Sequence, residues 1–425
     1  MKRLIRYSGI IFLSIIALTG FQYCTKDQIL PTEKELELQA AGAVHGLMTD
    51  WYLWYDSMPF INKDDYSTPE DMMDAMRYLP RDIWSYVSTL EEYKSYFEEG
   101  TYEGHGFSYR GDAEGNYWIL FVYKSSEFYS KGVRRGWRIL EVNNTTIPPL
   151  ANLSDYMSET TDVFLFLKPD GNTEEITSTR KLITINSVLH ADTLHVNGKI
   201  VGHIVFNSFI EPAIDELDAI FSSFKDFGVQ ELILDMRYNR GGRMDVAQKL
   251  ASLIAGSANS GKIFVKYMYN DKQGNNNSDV LLKSEINSLS LSKLVVLTSG
   301  STASASEAII NGLKPYITVT TIGSPSYGKP VGMNVWSYAD YYVFVPVTFR
   351  LVNSLGEGDY YAGLPVDSNM DDGLEWEFSD RNEIYLKEAI YYLSTGTLTG
   401  TSIPLKSYIP LHPQKYGLKW EIGAE

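Results

Sequence analysis

A serine and a lysine 25 positions apart, Ser304 and Lys329, each stand on small residues just past a β-branched run. A serine hydroxyl becomes a nucleophile only beside a base, and a lysine is such a base if it is kept neutral. Ser304 lies in Leu294-Val-Val-Leu-Thr-Ser-Gly300-Ser-Thr-Ala-Ser304-Ala-Ser-Glu307, ahead of the helical run Ala308-Ile-Ile-Asn-Gly-Leu313. That junction sets the hydroxyl beside the unpaired N–H groups of a helix start. Lys329 closes Ile317-Thr-Val-Thr-Thr-Ile-Gly323-Ser-Pro-Ser-Tyr-Gly328-Lys329, a strand and then a turn. An exposed lysine titrates near 10.4 and is protonated at neutral pH, so this role requires a dry surrounding. Tyr327, Val331 and Met333 flank Lys329 and can supply one.

Plainer readings compete. Ser304-x-x-Glu307 is also a capping box. Gly323-x-x-x-x-Gly328-Lys329 approaches a phosphate-binding loop, but that motif needs Ser or Thr next and a helix behind it. Pro330 follows instead, and then the strand-like Asn334-Val-Trp-Ser-Tyr338 and Tyr342 to Val352. The six histidines, His45, His105, His190, His195, His203 and His412, fall in no motif with a serine, although a triad dispersed along the chain stays open.

A third segment, Val229-Gln-Glu-Leu-Ile-Leu-Asp-Met236, is strand-like and enters Arg237-Tyr-Asn-Arg-Gly241-Gly242. A helix follows, with Val246, Leu250, Leu253 and Ile254 on one face and Gly256 at its end. Paired glycines free backbone N–H groups to face a developing oxyanion, or simply make a strand-to-helix turn.

Strand-Asp-x-Arg-x-Asn-x-Gly-Gly, Gly-Ser-Thr-Ala-Ser-Ala-Ser-Glu and a later Gly-Lys, in that order, resemble the C-terminal processing peptidases, the tail-specific Ser/Lys endopeptidases. The resemblance runs from about residue 104 to 395. It implies that Ser304 is the nucleophile, Lys329 the general base and Glu307 an orienting residue. It also implies an oxyanion hole from the N–H groups of Ala305 and one of Gly241 and Gly242. The chain departs from the pattern at Met333, where many members carry a glutamine, so the third catalytic member stays open.

The resemblance further implies an α/β multidomain fold. Its parts are a small N-terminal helical domain, a PDZ-like β-rich domain and an α/β Ser/Lys protease core with crotonase-like layers. The expected divisions are a signal or lipoprotein segment over 1–24, a tether over 25–33 and the helical domain over 34–100. A PDZ-like domain over 101–178, the peptidase domain over 179–395 and a tail over 396–425 complete the chain. Ser130 to Asn143 resembles a PDZ pattern, with Trp137 for its usual Asp and Asn144 for its usual Gly. Gly104, His105, Gly106 and Phe107 would then be the loop that cradles a peptide carboxylate.

Lys2, Arg3 and Arg6 before an apolar run from Ile10 to Leu18 read as a secretory signal. Cys24, the single cysteine, stands where a bacterial lipoprotein would be acylated, although Tyr23 is larger than such a site prefers. Lipidation at Cys24 and a periplasmic or cell-surface location in a Gram-negative-type bacterium are the expectation. A lone cysteine forms no intrachain disulfide, so the core must hold the fold.

The 425 residues carry 37 basic and 53 acidic side chains, a net charge of −16, which argues against a nucleic-acid partner. Hydrophobic residues at 44% and aromatics at 13% indicate a globular chain. Asn270 to Asp279 reads as a surface loop. The expected function is hydrolysis of extracytoplasmic polypeptides with no metal or organic cofactor. Two other classes remain: a peptide-binding lipoprotein that keeps the fold without catalysis, and a surface adhesin using the aromatic N-terminal helices.

Overall fold

Strands buried at nearly every position build the central layer. The structure, a computed structural model, describes residues 32–400 except positions 113, 150 and 159, together with residue 418. Cys24 and the signal segment lie outside the described residues, as does nearly all of the tail.

Six strands form the central sheet in the order Val188–Val196, Lys199–Phe206, Glu231–Asp235, Lys293–Thr298, Thr318–Gly323 and Ser368–Asn369. The first two are antiparallel and the rest parallel. Parallel neighbours require helical crossovers, which cover the sheet on both faces and make its strands apolar throughout. Leu232, Leu234, Leu294 and Val296 pack on one face with Leu217, Phe221, Leu250 and Ile309 from helices Ala213–Phe227, Met244–Ala255 and Ala305–Leu313. Val201, Ile233, Val295 and Leu297 face the other way onto Tyr385, Leu386 and Ala389 of helix Ile384–Thr395. Two-residue periodicity within each strand therefore sorts side chains between two cores.

The 101–178 stretch, with Thr179 one residue beyond it, contributes a separate antiparallel sheet in the order Phe107–Gly111, Tyr117–Val122, Arg138–Val142, Thr161–Leu167, Thr173–Thr179, with Thr145–Thr146 paired to Arg138–Val142. Its own core gathers Phe107, Phe128, Phe164 and Phe166. Thr101–Gly104 pairs with Lys181–Thr184, so the chain enters and leaves this sheet on one two-stranded ribbon.

The N-terminal helices do not form a core by themselves. Ala40, Val44 and Met48 of helix Glu33–Trp51 and Met72, Met73 and Met76 of helix Pro69–Met76 share one cluster with Val331, Tyr342, Phe344 and Val347. Strand Tyr86–Thr89 pairs with Tyr342–Val345, adding a β element to a stretch the sequence renders as helical. The first helix stops at Trp51. Trp51 turns edge-on to Tyr269 and Trp336.

The asparagine-rich 270–279 segment is also more than a surface loop. Asn270 is buried, and its side-chain amide donates to the carbonyls of Asp50 and Tyr52, fastening the end of the first helix. Its composition signals a turn but carries no sign of those distant acceptors.

Candidate active site

Strand Lys293–Thr298 ends in a loop whose last residue, Ser304, precedes helix Ala305–Leu313. Ser304 has φ +55° and ψ −113°, a backbone conformation in which a side chain is strained. Such strain persists only where surrounding contacts over-determine it, and they do here. Thr302 Oγ1 donates to the Met236 carbonyl, the Ala303 N–H to the Asn239 carbonyl at 3.1 Å, and Ser306 Oγ to the same carbonyl. Ser306 is thus buried against the glycine turn, whereas Ser304 sits at the head of the helix.

Glu307 fixes both candidate reactive residues. Its Oε2 accepts the N–H of Ser304 at 2.9 Å and that of Lys329 at 2.8 Å. Its Oε1 accepts the Gly328 N–H at 2.7 Å and Ser326 Oγ at 2.5 Å. Burial pushes the Glu307 carboxyl above its ordinary range, while the Ser326 hydroxyl and the N–H groups of Lys329, Gly328 and Ser304 pull it back. The reach to the Ser304 N–H is the carboxylate half of a capping box, and the same oxygen serves the lysine turn. One oxygen therefore makes both the capping-box contact and the contact to the lysine turn.

Lys329 is 2% exposed. Val331 beside it is fully buried, and Tyr327 and Met333 pack on the cluster shared with the N-terminal helices. The turn is tied to the serine loop by the Tyr327 N–H, which donates to the Thr302 carbonyl at 2.9 Å. Gly328, at φ +97°, has no space for a side chain: a Cβ would lie 2.5 Å from the Tyr361 carbonyl oxygen.

The glycine pair closes the third side. A Cβ on Gly241 would lie 2.8 Å from Ser304 Cβ and 3.1 Å from the Ala305 nitrogen, so this backbone abuts the serine. The Gly241 N–H is engaged by Asn239 Oδ1 at 2.9 Å, which leaves Gly242 as the donor of the pair. The N–H groups of Gly242 and Ala305 have no acceptor among the described residues.

Behind this turn, Arg237 is fully buried and bonded to Asp235, Glu383 and Asp372. Asp372 also meets Arg135 at 2.8 Å and the Tyr238 hydroxyl, so the 101–178 sheet is joined to the glycine turn through buried charge. Burial opposes ionisation of Asp372, but Arg135 and Arg237 hold its carboxyl well below the usual range. Asp-x-Arg was visible in the sequence. Its partners lie far along the chain, with no spacing to betray them.

At Gly104 to Phe107 the side chains turn inward. His105 is buried, its Nε2 2.9 Å from Asp162 Oδ2 and its Nδ1 3.0 Å from Ser178 Oγ. Phe107 lies in the core of the 101–178 sheet, and the carbonyls of His105 and Gly106 are taken by Ser126 Oγ and the Tyr123 N–H. Neither the imidazole nor the phenyl ring is placed to line a peptide site, so a carboxylate cradle here can use only backbone N–H groups. Strand Phe107–Gly111 is an edge of its sheet, and Tyr109 on it accepts the Leu153 N–H and donates to Asn152.

The described residues thus bring together, on a multidomain α/β fold, a strained serine at a helix start, a buried lysine and glycine-turn N–H donors. Residues 200–358 match Peptidase family S41 and residues 42–86 match the Peptidase S41 N-terminal domain. A probable CtpA-like serine protease of Staphylococcus aureus is 28% identical over 277 residues, 63% of this chain and 53% of that protein. Its Staphylococcus epidermidis counterpart is 25% identical over 292 residues, 66% and 57% of the two chains. The chain spans about half the length of these curated relatives. An S41-protease-type structure from Bacteroides fragilis superposes with a TM-score of 0.69 at 24% identity, covering 84% of this chain and 97% of that one. The CPAF S499A mutant does so at 0.51 and 10% identity, covering 86% and 99%.

Proposed function

We propose that the chain is an exported serine endopeptidase in which Ser304 attacks a peptide carbonyl and Lys329 takes the hydroxyl proton. The leaving amine recovers that proton from Lys329 as the C–N bond breaks, giving an ester on Ser304. Water then yields a proton to Lys329 and attacks the ester, and Ser304 is reprotonated as the acid departs. The N–H groups of Ala305 and Gly242 stabilise the oxyanion in both halves. The observation that carries this reading is the common anchoring of a strained Ser304 and a buried Lys329 on Glu307.

The 101–178 unit is read as a PDZ-like selector that adds a substrate's C-terminal strand to the Phe107–Gly111 edge, with backbone N–H groups near Gly106 receiving the carboxylate. Cys24 is read as the lipidated residue of a periplasmic or cell-surface protein. Substrates with free C-termini are then cut faster than the same chains amidated, and equal rates would remove the selector role. Cys24→Ser shifts the protein from the membrane to the soluble fraction, and an unchanged distribution would remove the anchor.

Trapping the ester tests the chemistry. Intact-mass analysis after incubation with an acylating serine-protease probe finds one adduct, mapped to Ser304 and lost in Lys329→Arg, because guanidinium stays protonated. An adduct that persists undiminished in that variant would exclude lysine as the base.

A further inference from the structure

The two strands that open the central sheet carry a second cluster, remote in sequence from Ser304. Val188–Val196 and Lys199–Phe206 are antiparallel, with Asp192 directly opposite His203. His190 lies two residues before Asp192 and so on the same face. His190 Nε2 stands 3.4 Å from Asp192 Oδ2, and His203 Nδ1 stands 3.4 Å from Asp192 Oδ1. One ligand atom from each of the three residues lies within 4.8 Å of the others.

Hydrogen bonding does not account for this arrangement. His203 is fully buried, and neither of its ring nitrogens makes a hydrogen bond among the described residues. His190 Nε2 and Asp192 Oδ1 are likewise buried and without a hydrogen bond among the described residues. Buried polar atoms in folded proteins nearly always find a partner, so unsatisfied atoms on three residues whose ligand atoms lie within 4.8 Å of one another call for one. Ligand atoms about 2.05 Å from a tetrahedral zinc stand about 3.3 Å apart, close to the 3.4 Å between each imidazole and the carboxylate oxygen it faces, Oδ2 for His190 and Oδ1 for His203. The side chains of His190 and Asp192 are 27% and 32% exposed, which gives an ion a way in and a position for water.

We propose that His190, Asp192 and His203 form a binding site for a first-row divalent cation of the zinc class, with solvent as the fourth ligand. Two imidazole nitrogens and one carboxylate oxygen suit zinc and exclude a hard-cation preference, since magnesium and calcium take oxygen ligands. The ion ties the outermost strand of the sheet to its neighbour. That neighbour ends at Phe206, whose carbonyl receives the side-chain amide of Asn239 from the glycine turn.

The test is titration of chelator-treated full-length protein with Zn2+ by calorimetry, and with Co2+ by visible absorption. One equivalent of Zn2+ binds, Co2+ gives the intense absorption of a tetrahedral site, and Mg2+ at the same concentration does neither. His190→Ala and Asp192→Asn, both at partly exposed positions, each weaken Zn2+ by at least about tenfold, the lower end of what disturbing even an outer partner costs. His195→Ala, on the opposite face of the same strand, leaves binding unchanged. Circular dichroism checks that each variant is folded. Absence of a one-equivalent site, or Zn2+ binding that His190→Ala leaves intact, would overturn the proposal.

Discussion

Ser304 and Lys329 hang from a single oxygen: Glu307 Oε2 accepts the N–H of the first at 2.9 Å and of the second at 2.8 Å. One carboxylate therefore sets the relative position of two turns 25 residues apart. Glu307→Gln keeps the shape but replaces one oxygen by an NH2 group that repels the N–H groups it faces. Proteolysis falls by about a hundredfold, the scale of losing one or two charge-assisted hydrogen bonds of about 1.5–3 kcal/mol. A variant with undiminished kcat would show that the carboxylate does not position the pair.

The same carboxyl gives stability a pH signature. Its folded-state pKa is raised, so between its unfolded value and that raised value the native protein binds more protons than the unfolded chain. The stability that Glu307 contributes is greatest below the unfolded value and declines as pH rises through the folded one. Thermal unfolding across pH therefore shows the wild type losing stability relative to Glu307→Gln as pH rises through that window, then running parallel. A difference that grows with pH would contradict the assignment.

Much of this layout is legible in the sequence, and what is not has a physical reason. The β-branched run at Leu294 and the apolar spacing of Leu217, Phe221 and Phe224 announce a strand and a helix because burial imposes local periodicity. Ser304, Glu307 and Lys329 stand out because small residues surround polar ones. Ser326 carries no such signal, since it does its work by bonding Glu307, a neighbour that folding delivers. Glu383 and Asp372 are ordinary acidic residues until Arg237 is buried between them. His190, Asp192 and His203 are aligned by strand register across a hairpin, a relationship that no local motif marks.

Arg237→Met leaves Asp235, Glu383 and Asp372 buried without their shared cation. Removing one partner of a buried ion pair costs about 3–5 kcal/mol. Urea unfolding reads that loss as a lower midpoint. Because the arginine anchors the glycine turn, residual activity falls as well, mainly in kcat. An unchanged midpoint would mean the network contributes no net stability.

Gly241→Ala places a methyl 2.8 Å from Ser304 Cβ and 2.9 Å from the Ala303 carbonyl oxygen, on a backbone at φ +104°. The strain is about 1–3 kcal/mol before any clash is counted. Acylation collapses while the Arg237 network still folds the protein. Gly274→Ala, which meets nothing within 4 Å, leaves activity as it was. Equal activity of the two variants would move the oxyanion site away from this turn.

Mass spectrometry of the peptides released from a denatured model protein tests the central claim most directly. Wild type and Ser306→Ala release peptides, Ser306 serving only as a donor to the Asn239 carbonyl. Ser304→Ala and Lys329→Ala release at least about a thousandfold less while remaining folded, because nucleophile and base act as one unit and their losses do not add. Release of peptides by Ser304→Ala at the wild-type rate would contradict the account.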